Sequence, residues 1–239
     1  MYNAFIHLPL LYMYFIPSPS LPCSTSIRAS EVVQILVRLD GFLLDNITKR
    51  IKLLPASVYE GLDRTELRIW CHYRARYLLP TVELVDWLKN RINGRRAIEI
   101  GAGNGDLGYH LGIKSFDNAC QQYPDVKLAY LLAGQVPTNP PSDVMRVDAI
   151  QAIHDYQPEV AIGAWITDKF VEGAFEGNMY GPNAYQIIQS VEYIHIGTER
   201  IHGRRKILEF PHETFKPPGV VSRTSVNPPD DVIHIWKKL

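Results

Sequence analysis

The stretch RRAIEIGAGNGDLGYHLGI, residues 95–113, limits the folds open to this chain more than any other. A short apolar run, Ala97 to Ile100, reads as a buried strand. It leads at once into Gly101, Gly103 and Gly105, a glycine at every second position, with Glu99 set two residues before the first of them. Glycine lets backbone come close to a ligand where a Cβ would collide, and in open α/β sheets ligands sit beyond the carboxyl ends of the strands. The stretch therefore predicts a strand that delivers bare backbone to a binding crevice.

The rest of the chain divides on either side of it. Before Gly94 the pattern is helical: Val32, Val33, Ile35, Leu36, Leu39 and Leu43 form one stripe, and Ile47 to Leu54 continues it after a break. A further helix is expected over 65–79, ended by Pro80. Thr81 then caps another, whose face is Leu84, Val85, Leu88 and Ile92 and which Gly94 stops. After Gly94, short apolar runs at 97–100, 144–147, 160–166, 193–196, 220–222 and 232–236 alternate with helical or loop segments. That alternation predicts an α/β fold with a mostly parallel sheet covered on both faces. The expected organisation is a poorly structured segment over 1–30, a helical appendage over 31–95 and an α/β core over 96–239.

Two cofactor classes use such a glycine loop. Gly103, Gly105 and Gly108 satisfy the Gly-x-Gly-x-x-Gly spacing of dinucleotide folds. A dinucleotide loop must hold a pyrophosphate, however, and an acid at the end of the first strand adds repulsion there. S-adenosyl-L-methionine has no phosphate, and an acid is compatible with its ammonium and sulfonium. The string Glu99-Ile-Gly101-Ala-Gly103-Asn-Gly105 resembles the first motif of the Rossmann-like (class I) S-adenosylmethionine-dependent methyltransferases.

The resemblance covers residues 95–239 and implies a seven-stranded, mostly parallel sheet closed by an antiparallel hairpin, here the runs 220–222 and 232–236. It implies cofactor contacts from Glu99 and the three glycines. It also implies a ribose acid after the second strand, matched by Asp117, and an adenine-side position matched by Asp148 and Ala149. Asp117 is eighteen residues beyond Glu99, near the spacing of about twenty usual for ribose acids. That register needs a short helix over 106–111 and a strand over 113–116; a longer helix would move the second strand to 126–132, and the helix start at Pro124-Asp125 favours the first arrangement. Asp117 and Asp148 also read as helix caps or solvated acids, roles compatible with ligand contact.

The fourth strand, 160–166, places Trp165, Thr167 and Asp168 at its mouth, with Trp165 on the cofactor side. Its sequence GAWITDKF lacks Asn/Asp-Pro-Pro-Tyr/Phe, and residues 95–239 contain no Pro-Cys pair, so neither the amino-methylating DNA enzymes nor the cytosine-C5 enzymes are matched. The acceptor stays open. Asp168, Glu176 and His195 are the candidate bases, Asn178 and Tyr180 are further acceptor-side residues, and Arg74 and Tyr77 are candidates for a lid. Arg200, His202, Arg204, Arg205 and Lys206 read as a solvated helix face. The expected activity is methyl transfer to an unidentified acceptor. The alternatives are a cofactor-binding scaffold or regulator and a nicotinamide-dependent oxidoreductase.

Lys and Arg number 25 and so do Asp and Glu, which argues against general affinity for nucleic acid or anionic membrane. The three cysteines, Cys23, Cys71 and Cys120, lie far apart, and the histidine spacings fit no metal pattern, so neither disulfides nor a metal is expected. The apolar run 4–16 contains His7 and Pro9 and is too short for a bilayer span, and no Lys or Arg precedes Arg28. Pro17, Pro19 and Pro22 read as a linker. A reducing, cytoplasmic setting is the expectation.

Overall fold

The computed structural model describes residues 27–169, 177–217, 219–223 and 230–239. Three helices come first, α1 (Ala29–Leu43), α2 (Ala56–Glu60) and α3 (Arg64–Tyr73), followed by a two-residue strand β1 (Leu78–Leu79) and helix α4 (Val82–Ile92). The α/β part follows as β2 (Ala97–Ile100), α5 (Asp106–Leu111), β3 (Lys114–Phe116), α6 (Pro124–Leu132), β4 (Val144–Met145), α7 (Ala149–Tyr156), β5 (Val160–Ala164), α8 (Ala184–Ser190) and β6 (Glu192–Thr198). Helix α9 (Glu199–His202) and strands β7 (Glu213–Phe215), β8 (Val221–Ser222) and β9 (Asp231–Trp236) complete it.

The main sheet has seven strands in the order β4-β3-β2-β5-β6-β9-β7. Strands β4, β3, β2, β5 and β6 run parallel, and β9 is antiparallel to both its neighbours. Side-chain alternation sorts the strands onto two apolar layers. Val160, Ile162, Ile194, Ile196, Ile233 and Ile235 face Leu84, Val85 and Leu88 of α4 and Leu107 and Leu111 of α5. Ala161, Tyr193 and Trp236 face the other way, toward Ala152, Ile187 and Ile188 of α7 and α8. Side chains such as Ile162 and Ile194 are fully buried, each worth about 1.5–3 kcal/mol of transfer free energy. The appendage has its own smaller core, in which Leu39 and Leu43 of α1 meet Leu67, Trp70 and Cys71 of α3. Helix α4, which the sequence joins to that appendage, lies instead in a helical layer of the sheet.

Two elements differ from the sequence reading. The run 220–222 does not pair with β9. Its strand β8 pairs antiparallel with β1, Leu78 opposite Ser222, in a separate ribbon, and the partner of β9 at the sheet edge is β7. Strand β7 is only Glu-Thr-Phe in a polar setting, and a three-residue edge strand leaves little periodicity to find. The helix expected over 65–79 ends at Tyr73, because Ala75 takes a left-handed conformation (φ +49°) and the chain then extends into β1.

Helix α5 crosses the sheet at close range because residue 108 has no side chain. A Cβ there would overlap the Ser115 hydroxyl and stand 2.6 Å from a Glu99 carboxylate oxygen. Gly108→Ala is therefore expected to destabilise the chain by about 1–3 kcal/mol, through overpacking alone. The midpoint of chemical denaturation checks this, and an unchanged midpoint would mean that α5 can lift off β2 freely.

Candidate functional site

The site is built at the carboxyl end of β2, where the strand order reverses between β3 on one side and β5 on the other. Gly101, Gly103 and Gly105 all have left-handed backbones, φ +57°, +55° and +68°, which explains a glycine at every second position. Space adds to the demand at Gly105, where a Cβ would lie 2.5 Å from a Val144 methyl and 3.0 Å from the Arg50 guanidinium. Asp117, at the end of β3, accepts a 2.8 Å hydrogen bond from the Gly103 N–H and a 2.7 Å bond from the Ala119 N–H. Burial raises the Asp117 pKa, with these two bonds opposing. The carboxylate is thus short of donors, and it has lone pairs left to accept more.

Glu99 is buried beneath the loop, where one of its oxygens accepts from the Ser115 hydroxyl (2.7 Å) and the Gly108 N–H (3.0 Å). It ties β2, β3 and α5 together. Asp106, also buried, pairs with Arg76 and accepts from the Ile51 N–H at 3.1 Å. Arg50 donates to the Asn104 carbonyl and pairs with Asp143 at 2.6 Å, and the Asn104 amide reaches the Ala75 carbonyl at 2.9 Å. The appendage therefore clasps the outside of the loop. Arg50 and Arg76 carry no sequence signal for this role, since their partners lie 93 and 30 residues away.

Asp148 caps α7 through the Ile150 N–H at 2.9 Å and is exposed, while Ala149 is buried against the sheet. Trp165 leaves β5 with φ +59°, and its indole is buried beside Tyr77 and His202. The connection after β5 folds back on the mouth: the Asn178 N–H donates to the Asp168 carbonyl at 2.9 Å, and the Asn118 amide donates to the Tyr180 carbonyl at 2.9 Å.

Two of the candidate bases are not free at the mouth. Arg205 donates to both carboxylate oxygens of Asp168, through Nε at 2.8 Å and through Nη2. His195 is fully buried in β6, its ring 4.9 Å from that of His202, and neither of its nitrogens has a well-formed hydrogen bond. Burial, with Arg205 adding to it, holds the His195 ring well below its usual pKa and that of His202 at about 3, so both are neutral. His202 and Arg205 are interior residues, which corrects the reading of 200–206 as a solvated face; a four-residue helix turns His202 inward, where its Nδ1 accepts from the Thr198 N–H. Glu176 lies outside the described residues. Arg74 is engaged with Asp40, Nε at 2.8 Å, inside the appendage, while Tyr77 stands at the mouth. Among the described residues no group of three or more His, Cys, Asp and Glu side chains is placed to hold a metal ion, and no helix is long and apolar enough to cross a membrane.

Numbered within the sheet, the strand order is 3-2-1-4-5-7-6, with the seventh strand inserted antiparallel. A dinucleotide sheet runs 3-2-1-4-5-6 without such an insertion. The core has the Rossmann-like methyltransferase fold. No protein-family model and no curated protein matches the sequence. Solved structures similar to the chain include a SAM-dependent methyltransferase from Agrobacterium tumefaciens, 10% identical over 65% of this chain and 61% of that one, with a TM-score of 0.34. An rRNA methylase from Streptococcus thermophilus is 13% identical over 65% and 94%, TM-score 0.36, and a hypothetical protein from Thermus thermophilus is 14% identical over 82% and 98%, TM-score 0.33. The chain spans less than two thirds of the Agrobacterium protein. It is the strand order that defines the fold.

The burial of Glu99 has a measurable signature. Burial raises its pKa from 4.5 to about 7, against the opposing bonds from Ser115 and Gly108. The folded chain then binds the proton more tightly than the unfolded one, so this group favours folding below pH 4.5 and its contribution is lost as the pH rises to about 7. Unfolding free energy measured across that window is expected to fall more steeply in the wild type than in Glu99→Gln, which keeps the oxygen acceptor without the charge. Equal slopes would show that the carboxyl is not held in this environment.

Proposed function

We propose that this chain binds S-adenosyl-L-methionine over the loop 101–105 and transfers its methyl group to an acceptor. The observation that carries the reading is the bond from the Gly103 N–H to Asp117, which sets a donor-poor carboxylate beside three left-handed glycines at the switch point of a sheet with this strand order. A ribose offers the two hydroxyl donors that such a carboxylate lacks. The sheet also departs from a dinucleotide sheet, which has no antiparallel strand inserted before its last one. This disfavours the nicotinamide-dependent alternative.

In this reading Asp117 holds the ribose, the glycine backbone faces the amino-acid portion, and Asp148 with Ala149 borders the adenine. Trp165 borders the reacting centre. Bound there, S-adenosyl-L-methionine supplies a methyl carbon on a positive sulfur, which leaves with the C–S electrons as an acceptor lone pair forms the new bond. The chain's own work is to align the two reactants and keep water out, and alignment alone supplies a large share of a barrier reduction. His195 is buried and the half-buried Asp168 is paired with Arg205, so the reading assigns them to the support of Trp165 and the β5 end. Glu176, the third candidate base, lies outside the described residues; an acceptor that does not use it must arrive already nucleophilic or lose its proton to solvent. The same commitment of Asp168 to Arg205 favours a second reading, a cofactor-binding scaffold without turnover.

Calorimetric titration tests the first step. S-adenosylmethionine is expected to bind saturably and NAD not at all. Gly103→Arg, whose side chain must displace Thr138, 3.3 Å from the Cβ position, should abolish binding. Asp117→Ala should weaken it by roughly 10- to 100-fold, the loss of hydrogen bonds to a charged group. Binding of NAD, or of neither ligand, would sink the proposal, and binding without transfer to any acceptor would favour the scaffold.

A further inference from the structure

The ribbon of β1 and β8 carries an arginine to the mouth of the site. The Arg223 N–H donates to the Tyr77 carbonyl at 3.1 Å, just beyond the paired residues Leu78 and Ser222. The guanidinium lies 4.2 Å from the centre of the Tyr77 ring and 5.9 Å from that of Trp165, and the two rings are themselves 5.9 Å apart. Among the described residues no carboxylate pairs with Arg223. Three other arginines near the site each have one: Arg50 has Asp143, Arg76 has Asp106 and Arg205 has Asp168. Ring faces stabilise a cation from one side, but they leave the N–H edge of the guanidinium, a planar fork suited to carboxylate and phosphate, without acceptors.

The group is fixed to the cofactor loop at two points. Residue 101 packs against Ile166, next to Trp165, a Cβ there standing 2.8 Å from its side chain. The Asn104 amide holds the Ala75 carbonyl, two residues before Tyr77. Trp165 itself holds a left-handed backbone that bulky residues avoid, and its buried indole N–H has no partner among the described residues. Such backbone outliers collect where ligands are held. A cation and one aromatic face from the ribbon thus stand beside the loop with a second aromatic face and an unpaired N–H from the end of β5.

We propose that the acceptor carries an anionic group, a carboxylate or a phosphate, and that Arg223 recognises it while Tyr77 and Trp165 form the wall along which the acceptor lies. This rests on the methyl-transfer reading above. The anion anchors the acceptor at the ribbon and leaves its nucleophilic atom to face the loop.

The test uses the full chain, as wild type, Arg223→Gln and Arg223→Lys, in calorimetric titrations. S-adenosylmethionine and 5′-methylthioadenosine, which lacks the carboxylate and ammonium, are titrated first. Benzoate and inorganic phosphate follow in separate arms, with the protein saturated in S-adenosylhomocysteine. The expected result is cofactor binding equal in all three proteins, with benzoate or phosphate binding the wild type at least about tenfold more tightly than Arg223→Gln and Arg223→Lys falling between. The arm that binds names the anion. The inference is overturned if a wild type that binds S-adenosylmethionine binds neither anion, or if the Gln variant binds them equally. It is also overturned if Arg223→Gln weakens S-adenosylmethionine but not methylthioadenosine, which would give the arginine to the cofactor's own carboxylate. A wild type that binds no S-adenosylmethionine removes the methyl-transfer reading, and this inference with it.

Discussion

The close packing of α5 on β2, with a buried carboxylate shared between them, is the constraint from which the site follows. Glu99 takes its bonds from the helix through Gly108 and from the next strand through Ser115, so one side chain sets the distance between three elements. Only a residue without a Cβ at position 108 lets the helix come that near. The chain between strand and helix is then too short to turn except through left-handed backbone, and the alternating glycines of the loop are the result. An acid in this place costs desolvation free energy. What it returns is a fixed loop, and a binding loop fixed in advance loses less entropy when a ligand arrives.

The outside of the loop is held just as firmly, by residues far away in sequence. Arg50, Ile51, Ala75 and Arg76 all contact Asn104 or Asp106, so the helical appendage acts as a brace and not as a separate module. Its own core of Leu39, Leu43, Leu67 and Trp70 gives the brace stiffness. The loop therefore lies between a buried acid on one side and two arginines on the other, while Asp117 faces its remaining edge.

Local signals made much of this visible in the sequence. The strand 97–100, the glycine loop, the short helix over 106–111 and the second strand ending before Asp117 all lie within about twenty residues of one another, and each depends on its own residues. Thr81 and Asp148 act as helix caps through contacts two or three residues away, which is why they too could be read. Long-range pairing was not readable. Arg205 meets Asp168 across 37 residues and β8 finds β1 across more than 140, and no periodicity records such choices. Glu99 lies between these cases: its place was evident from the motif, but the direction of its side chain depends on Ser115 and Gly108 and was visible only in three dimensions. The same holds for His202, whose charged neighbours suggested a surface and whose ring is inside.

The position of β9 has a consequence for how the molecule comes into being. It follows β7 in the sequence, yet it lies between β6 and β7. On a ribosome, the first five strands of the sheet can assemble as they emerge, but β7 has no neighbour to join until residues 231–236 are made. Until then β6 is an open edge, with an unpaired row of backbone donors and acceptors. The ribbon over the site waits in the same way, since β1 is synthesised long before β8. A nascent chain would thus carry a nearly complete glycine loop beside an unprotected strand, and the interval before residues 231–236 appear is when association with another chain would compete most strongly with folding.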